Sequence, residues 1–173
     1  STNVGIDISV KNLIQEYDAV CLAGGSTVPR DLSIEGRDLD GIHFAMDFLS
    51  EQNRWDTKKS NVRNISAKNK NVVIIGGGDT GADCLGTSIR QGAKNIVQLE
   101  ILPEPPIIRS SSNPWPEWPL ILRTSSAHEE SGEREFSVLT KSFDGITNVK
   151  NLTCQKVKWE KDPKSQKCEI VPA

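Results

Sequence analysis

Aromatic residues make up only 5% of this 173-residue chain, methionine occurs once and histidine twice. No apolar stretch approaches the length needed to cross a bilayer, and the opening STNVGIDIS lacks the architecture of a signal peptide, so no membrane role is expected. The shortage of histidine removes most catalytic constellations. His43 and His128 are far apart in the chain, no Ser-His-Asp or metal-ligand spacing is present, and His128 beside Glu129 and Glu130 reads as a solvated face. The four cysteines, at positions 21, 84, 154 and 168, lack the C-x-x-C pairing of a zinc site, an iron–sulfur site or a redox dithiol. They are expected to be reduced, buried small residues, the alternative being a disulfide between Cys154 and Cys168 across a hairpin. Charge of one sign is also missing. With 21 basic and 23 acidic residues the net charge is −2, which argues against a nucleic-acid surface. The local run of Lys58, Lys59, Arg63, Lys68 and Lys70 is interleaved with Asn and Ser and reads as a solvated linker.

Against these absences stands one concentrated signal, NVVIIGGGDTG at 71–81. Val72–Ile75 is a continuous apolar run, as expected of a strand buried on both faces. It leads into Gly76, Gly78 and Gly81 at G-x-G-x-x-G spacing, followed by a helix-compatible segment. Gly76 permits a tight turn out of the strand, Gly78 a close approach of backbone to a diphosphate, and Gly81 close packing of helix on sheet. Thr80–Gln91 places Ala82, Leu85 and Ile89 on one stripe, and Gly92 stands where a left-handed helix cap belongs. Asn95–Leu99 is a second apolar strand, with Glu100 at its end, where a carboxylate would meet ribose hydroxyls. The candidate cofactor-binding residues are therefore Gly76, Gly77, Gly78 and Gly81 around the diphosphate, Asp79 and Thr80 lining it, and Glu100 on the ribose. Glu100 favours NADH, because a carboxylate repels the 2′-phosphate of NADPH; Arg109 would reverse this if its loop folds back. No acid, base or nucleophile is read from the spacings, and a bound dinucleotide would itself carry the chemistry.

Elsewhere the patterning is weaker. Ser9 can cap a short helix through Glu16, and Ala19–Leu22 reads as a strand ending at Gly24-Gly25. That glycine pair is either a crossover between domains, a close approach to a ligand, or an ordinary turn. Ile42, Ala45, Met46 and Leu49 recur at helical spacing with Phe44 and Phe48, predicting a packing helix whose Met46 and aromatics are core. Residues 55–70 carry too many Asn, Lys and Ser to bury anything and read as a loop. Six of the nine prolines fall between Pro103 and Pro119 and impose an extended excursion, its two tryptophans either packed on this domain's own surface or turned to a neighbour. From Glu135 the period falls to two, with turns at Asp144-Gly145 and Pro163–Gln166, predicting hairpin-linked antiparallel strands. The fold class is α/β, a Rossmann-like dinucleotide-binding domain with an antiparallel β-meander near the C-terminus. A further parallel strand beside the first is expected of such a domain, so the chain is expected to be a piece of a larger protein.

The runs AGGSTVPRDLSIEGRDLDGIHFAMDFL at 23–49, VVIIGGGDTGADCLGTSIRQGAKNIVQLEILPEPP at 72–106 and NPWPEWP at 113–119 resemble the small (beta) subunit of glutamate synthase, especially the NADH-type enzymes. The segment at 123–141 keeps the family's His-Glu-Glu but lacks its preceding Tyr-Gly. The resemblance implies a domain of the two-dinucleotide-fold flavoprotein type, with residues 1–37 as the tail of a flavin segment plus crossover and 38–173 as most of the inserted nicotinamide-nucleotide domain. It also implies that NADH or NADPH delivers hydride to FAD, with iron–sulfur clusters and FMN completing glutamate formation from glutamine and 2-oxoglutarate in the whole enzyme. The partners implied are the flavin domain and the large subunit or region, in a cytoplasmic or plastid compartment. The alternatives are the nucleotide domain of another flavoprotein oxidoreductase, and a non-enzymatic scaffold that uses the Trp/Pro-rich segment for interaction.

Overall fold

The computed structural model describes residues 2–26, 28–59, 61–118, 120–161 and 168–173. Two compact units are present, Ser1–Arg30 and Asp31–Ala173. In the first, helix α1 (Val10–Glu16) starts where Ser9 Oγ accepts the Lys11 N–H at 3.2 Å, and none of its residues is buried. Ala19–Leu22 forms no strand, contrary to its apolar pattern. Among the described residues no segment pairs with it, and an unpaired strand has no ladder to hold it.

The second unit is built on two three-stranded sheets. Strand β1 (Asn71–Ile75) runs parallel to β2 (Asn95–Leu99), with Asn71 opposite Asn95 and Ile75 opposite Leu99. Helix α3 (Asp79–Arg90) makes the crossover between them. Its end is a Schellman motif: Gly92 at φ +81° donates to Ile89 C=O and Ala93 donates to Ser88 C=O. Leu85 lies at the centre of the core with 0% exposure, beside Cys84, Ile74, Ile96, Ala67 and Phe48. The last of these belongs to α2 (Ala45–Asp56), which begins three residues later than the apolar pattern and turns Met46 outward at 45% exposure, not into the core. With Phe48 and Leu49 already facing α3, a residue three positions before Leu49 falls near the edge of the buried stripe.

The polar linker after α2 buries more than its composition suggests. Glu51, itself buried, accepts the backbone N–H groups of Asn64 and Ile65, and Gln91 Oε1 accepts that of Ala67 at 2.8 Å. Satisfying these backbone donors lets Ala67 enter the core and Ile65 pack against it. β1 is not buried on both faces: Ile74 is buried, whereas Val73 and Ile75 are 48% and 42% exposed.

A short helix α4 (Ser126–Glu130) leads into β3 (Glu133–Glu135), which pairs parallel to β2 on the side away from β1. β3 is a charged triplet with no apolar signature, which is why hydrophobic periodicity passes over it. The chain then turns into β4 (Val138–Gly145), β5 (Val149–Lys161) and β6 (Cys168–Pro172), an antiparallel meander as the period-two pattern predicts. Asp144 and Gly145, expected as the turn, instead end β4, and the bend falls one step later at Ile146-Thr147; Pro163–Gln166 lies outside the described residues. Cys154 stands opposite Thr140 in the β4–β5 register and Cys168 opposite Lys161 in the β5–β6 register, so these cysteines are not cross-strand partners. Cys84 is buried, but Cys21 and Cys154 are exposed free thiols, contrary to the expectation of burial. Trp159 Nε1 donates to Ile101 C=O at 2.9 Å, tying the meander to the end of β2.

Replacing Leu85 with Ala removes the most deeply buried side chain of α3, and chemical denaturation is expected to show a loss of about 2–5 kcal/mol. A loss below about 1 kcal/mol would mean that this contact is not central to the core.

Candidate functional site

The sequence-predicted residues gather where β1 hands over to α3. Gly76 has φ +116°, a conformation that disfavours any side chain, and its N–H donates to Leu99 C=O at 2.8 Å. Gly78 is the N-cap of α3 and supplies no side chain to cap it. The first intrahelical bond of this turn runs from Ala82 N–H to Gly78 C=O, so the N–H groups of Asp79, Thr80 and Gly81 precede the helical ladder. Gly77, Gly78, Asp79 and Thr80 are all exposed. A Cβ at Gly78 would meet nothing within 4 Å, whereas one at Gly81 would run into Gly76 C=O and lie 2.5 Å from Gln98 Nε2. Gly81 is therefore the close-packing position and Gly78 the open one.

Glu100 reaches this turn. Its Oε2 accepts Gly77 N–H at 2.7 Å and its Oε1 accepts Leu102 N–H at 2.8 Å. One amide of the turn is thus already held by protein, and among the described residues none accepts from those of Gly78 to Gly81. Arg109 is engaged elsewhere: its Nη1 donates to the carbonyls of Asn113 and Glu117, at 2.9 and 3.0 Å, bracing its own proline-rich loop. Gly24 and Gly25 lie in the first unit; Gly25 has φ +69°, and a Cβ at either would meet nothing within 4 Å. The tryptophans of the excursion do not pack on this domain's surface. Trp115 and Trp118 are 82% and 77% exposed, and Arg123 stacks over Trp118 at 4.1 Å.

Two residues at the site carry no sequence motif. Gln98, 1% exposed in the middle of an apolar strand, donates from Nε2 to Gly76 C=O at 2.8 Å. Its Oε1 meets His128 Nε2 at 2.7 Å, and His128 Nδ1 lies 3.2 Å from Ser125 N and 2.9 Å from Ser125 Oγ. His128 is thus half-buried and bonded at both ring nitrogens, not part of a solvated face. A glutamine inside an otherwise apolar strand was the available signal for Gln98, since a buried amide must find partners. His43 is exposed, just ahead of α2. Among the described residues no cluster could hold a metal ion, and no helix is long and apolar enough to cross a membrane.

Burial, and then the Arg134 charge, hold the His128 pKa below its ordinary value of 6.5. The other charges on or against its helix are Glu129 and the Arg90–Glu130 ion pair, at 3.0 Å and solvent-exposed.

The profile of the pyridine nucleotide-disulphide oxidoreductase family matches residues 4–113. The chain is 48% identical over 179 aligned residues to the NADH glutamate synthase of Schizosaccharomyces pombe, covering 95% of this chain and 8% of that protein. It is 55% identical over 148 residues to the NADPH glutamate synthase small chain of Mycobacterium tuberculosis, covering 83% of this chain and 30% of that one. The chain therefore spans less than a third of either relative. In fold it is similar to FprA of Mycobacterium tuberculosis in complex with NADPH, with a TM-score of 0.53 at 16% identity over 99% of this chain and 51% of FprA.

Two outcomes follow. Gly81→Ala is expected to cost about 1–3 kcal/mol in a denaturation experiment, because the new methyl must displace backbone or the Gln98 amide; an unchanged midpoint would refute that close packing. Because the folded pKa of His128 is lowered, its contribution to stability is complete above about 6.5 and is lost as pH falls through the lowered value. A pH series of melting temperatures should show this acid loss in the wild type and a smaller one in His128→Gln, and parallel curves would rule it out.

Proposed function

Because this chain belongs to the pyridine nucleotide-disulphide oxidoreductase family, we propose that its β1–α3–β2 unit binds a nicotinamide dinucleotide and that the chain is the NAD(P)H-binding part of a glutamate synthase. The observation that carries this reading is the set of amides at Asp79, Thr80 and Gly81 that precede the helical ladder and meet no acceptor among the described residues, beside the open Gly78 position. A helix N-terminus with free N–H groups and no side-chain cap suits a diphosphate in both charge and hydrogen bonding. Asp79 and Thr80 would line it. Glu100 keeps lone pairs beyond the two amides it accepts, so it can also take ribose hydroxyls. A carboxylate there disfavours the extra phosphate of NADPH, which supports NADH. With its guanidinium on loop carbonyls, Arg109 would counter that preference only if the loop rearranged.

When bound, the nicotinamide supplies a hydride, and the residues of this chain contribute binding and orientation. The acceptor on this reading is FAD held by a flavin domain, for which residues 1–37 supply a tail and crossover and 38–173 the nucleotide domain. Iron–sulfur clusters and FMN in the complete enzyme, with its large subunit or region, would carry the electrons to glutamate synthesis from glutamine and 2-oxoglutarate. The exposure of Trp115 and Trp118 favours a contact role for the excursion in that assembly. A cytoplasmic or plastid setting suits this chemistry.

Calorimetric titration of the chain with NADH and NADPH tests the reading. Saturable single-site binding with NADH the tighter ligand is expected. Gly78→Val should abolish it with little loss of stability, since the position is open and its φ of −79° suits any residue. Retained affinity in that variant would count against the diphosphate assignment. Glu100→Gln should narrow the gap between the two nucleotides by about tenfold, and an unchanged ratio would remove Glu100 from the ribose.

A further inference from the structure

The peptide joining Gly76 to Gly77 is held from both sides. On its carbonyl edge Gln98 Nε2 donates at 2.8 Å, and on its N–H edge Glu100 Oε2 accepts at 2.7 Å. The two edges of a trans peptide point in opposite directions, so the two bonds together fix the rotation of the plane. Gln98 and Glu100 are two residues apart at the end of β2, the spacing that places side chains on one side of an extended chain. Glycine pairs are the easiest peptides to rotate, because neither residue carries a Cβ to oppose the change. A rotated plane would turn the Gly76 carbonyl outward beside the amides of Gly78 to Gly81 and present a negative dipole to an anion.

What holds Gln98 in place is His128, and the direction of every bond in the chain is determined. Ser125 N–H can only donate, so His128 Nδ1 accepts and, in the neutral ring, the proton sits on Nε2. Nε2–H then donates to Gln98 Oε1, which leaves the Gln98 NH2 end on Gly76 C=O, a group that can only accept. The run Ser125–His128–Gln98–Gly76 therefore has one consistent polarity from backbone donor to backbone acceptor, the arrangement in which successive bonds reinforce one another. Close packing of α3 and α4 supports it: a Cβ at Gly86 would lie 3.0 Å from Ala127 Cβ, next to His128.

We propose that His128 and Gln98 are positioning residues of the nucleotide site: His128, as the Nε2–H tautomer, orients the buried Gln98 amide so that it clamps the Gly76–Gly77 peptide with its carbonyl turned away from the diphosphate. This rests on the nucleotide-binding reading above. It extends the site beyond the glycine turn to His128 on α4, which lies 30 positions beyond Gln98 in the chain.

The test separates the two jobs of His128. A Gln side chain places an amide N–H near the position of Nε2 and an Asn side chain places its amide near Nδ1, so His128→Gln restores the donor to Gln98 whereas His128→Asn restores the acceptor for Ser125. In titrations of the full chain with NADH, His128→Ala and Gln98→Met are expected to bind roughly three- to tenfold more weakly. His128→Gln should return to within about twofold of the wild type, while His128→Asn stays near the Ala variant. Melting temperatures taken in parallel confirm that the proteins compared are folded. Affinity unchanged in His128→Ala, or restored by Asn and not by Gln, overturns the inference while leaving the nucleotide site intact. Failure of the wild type to bind either nucleotide overturns the site reading itself and this inference with it. A readout that needs no nucleotide is the imidazole 15N spectrum of the wild type at neutral pH, where the Nε2–H tautomer of His128 is expected and the Nδ1–H tautomer would contradict the relay.

Discussion

One peptide plane, between Gly76 and Gly77, carries the geometry of this molecule's candidate site. Its carbonyl and its N–H are both taken by side chains from the end of β2, so the turn from strand to helix is set by the neighbouring strand as well as by the glycines themselves. The glycines make the turn possible, and Gln98 and Glu100 make it single-valued. A Cβ at Gly81 would intrude on that same carbonyl and on Gln98, so the first turn of α3 can pack there only without a side chain. Parallel pairing of β1 with β2 is a precondition for all of this, because it places the end of one strand level with the end of the other.

The rest of the second unit maintains that register. Leu85, Ile74 and Ile96 bury the crossover helix on the parallel sheet, while Glu51 and Gln91 satisfy the backbone of the polar linker and bring Ala67 beneath them. On the far side β3 adds three residues of ladder, and its end leads directly into the meander. The meander is anchored by the Trp159 indole on Ile101 C=O and by the Lys156–Glu135 pair at 2.6 Å, the latter solvent-exposed and so of small energetic weight. Electrostatics at the turn is mixed. The helix N-terminus attracts an anion and Glu100 repels one, which on the proposed reading would separate a site for the diphosphate from a site for ribose hydroxyls within a few residues.

What could be read from the sequence was whatever is local. The strand–turn–helix–strand unit is encoded in a continuous apolar run, a 3.6-residue stripe and a C-terminal glycine, and the structure reproduces it to within one residue at each end of α3. The period-two meander was equally legible. The features that escaped depend on contacts distant in sequence. β3 is a polar triplet defined only by its partner, Met46 sits at the edge of a stripe whose limits α3 decides, and Ala19–Leu22 has strand character without a strand beside it among the described residues. The exposure of Trp115 and Trp118 reverses the packing expected of large apolar side chains. His128 looked solvated because its neighbours in the chain are Glu129 and Glu130, yet its partners are Ser125 and a glutamine thirty residues away in sequence.

Backbone amides at the start of α3 that receive a diphosphate must register its arrival directly. Backbone 1H–15N spectra recorded during addition of NADH address it residue by residue. The largest shifts are expected on the amides of Gly78, Asp79, Thr80 and Gly81. Binding that leaves those four amides unmoved, with the shifts falling elsewhere in the chain, would contradict it.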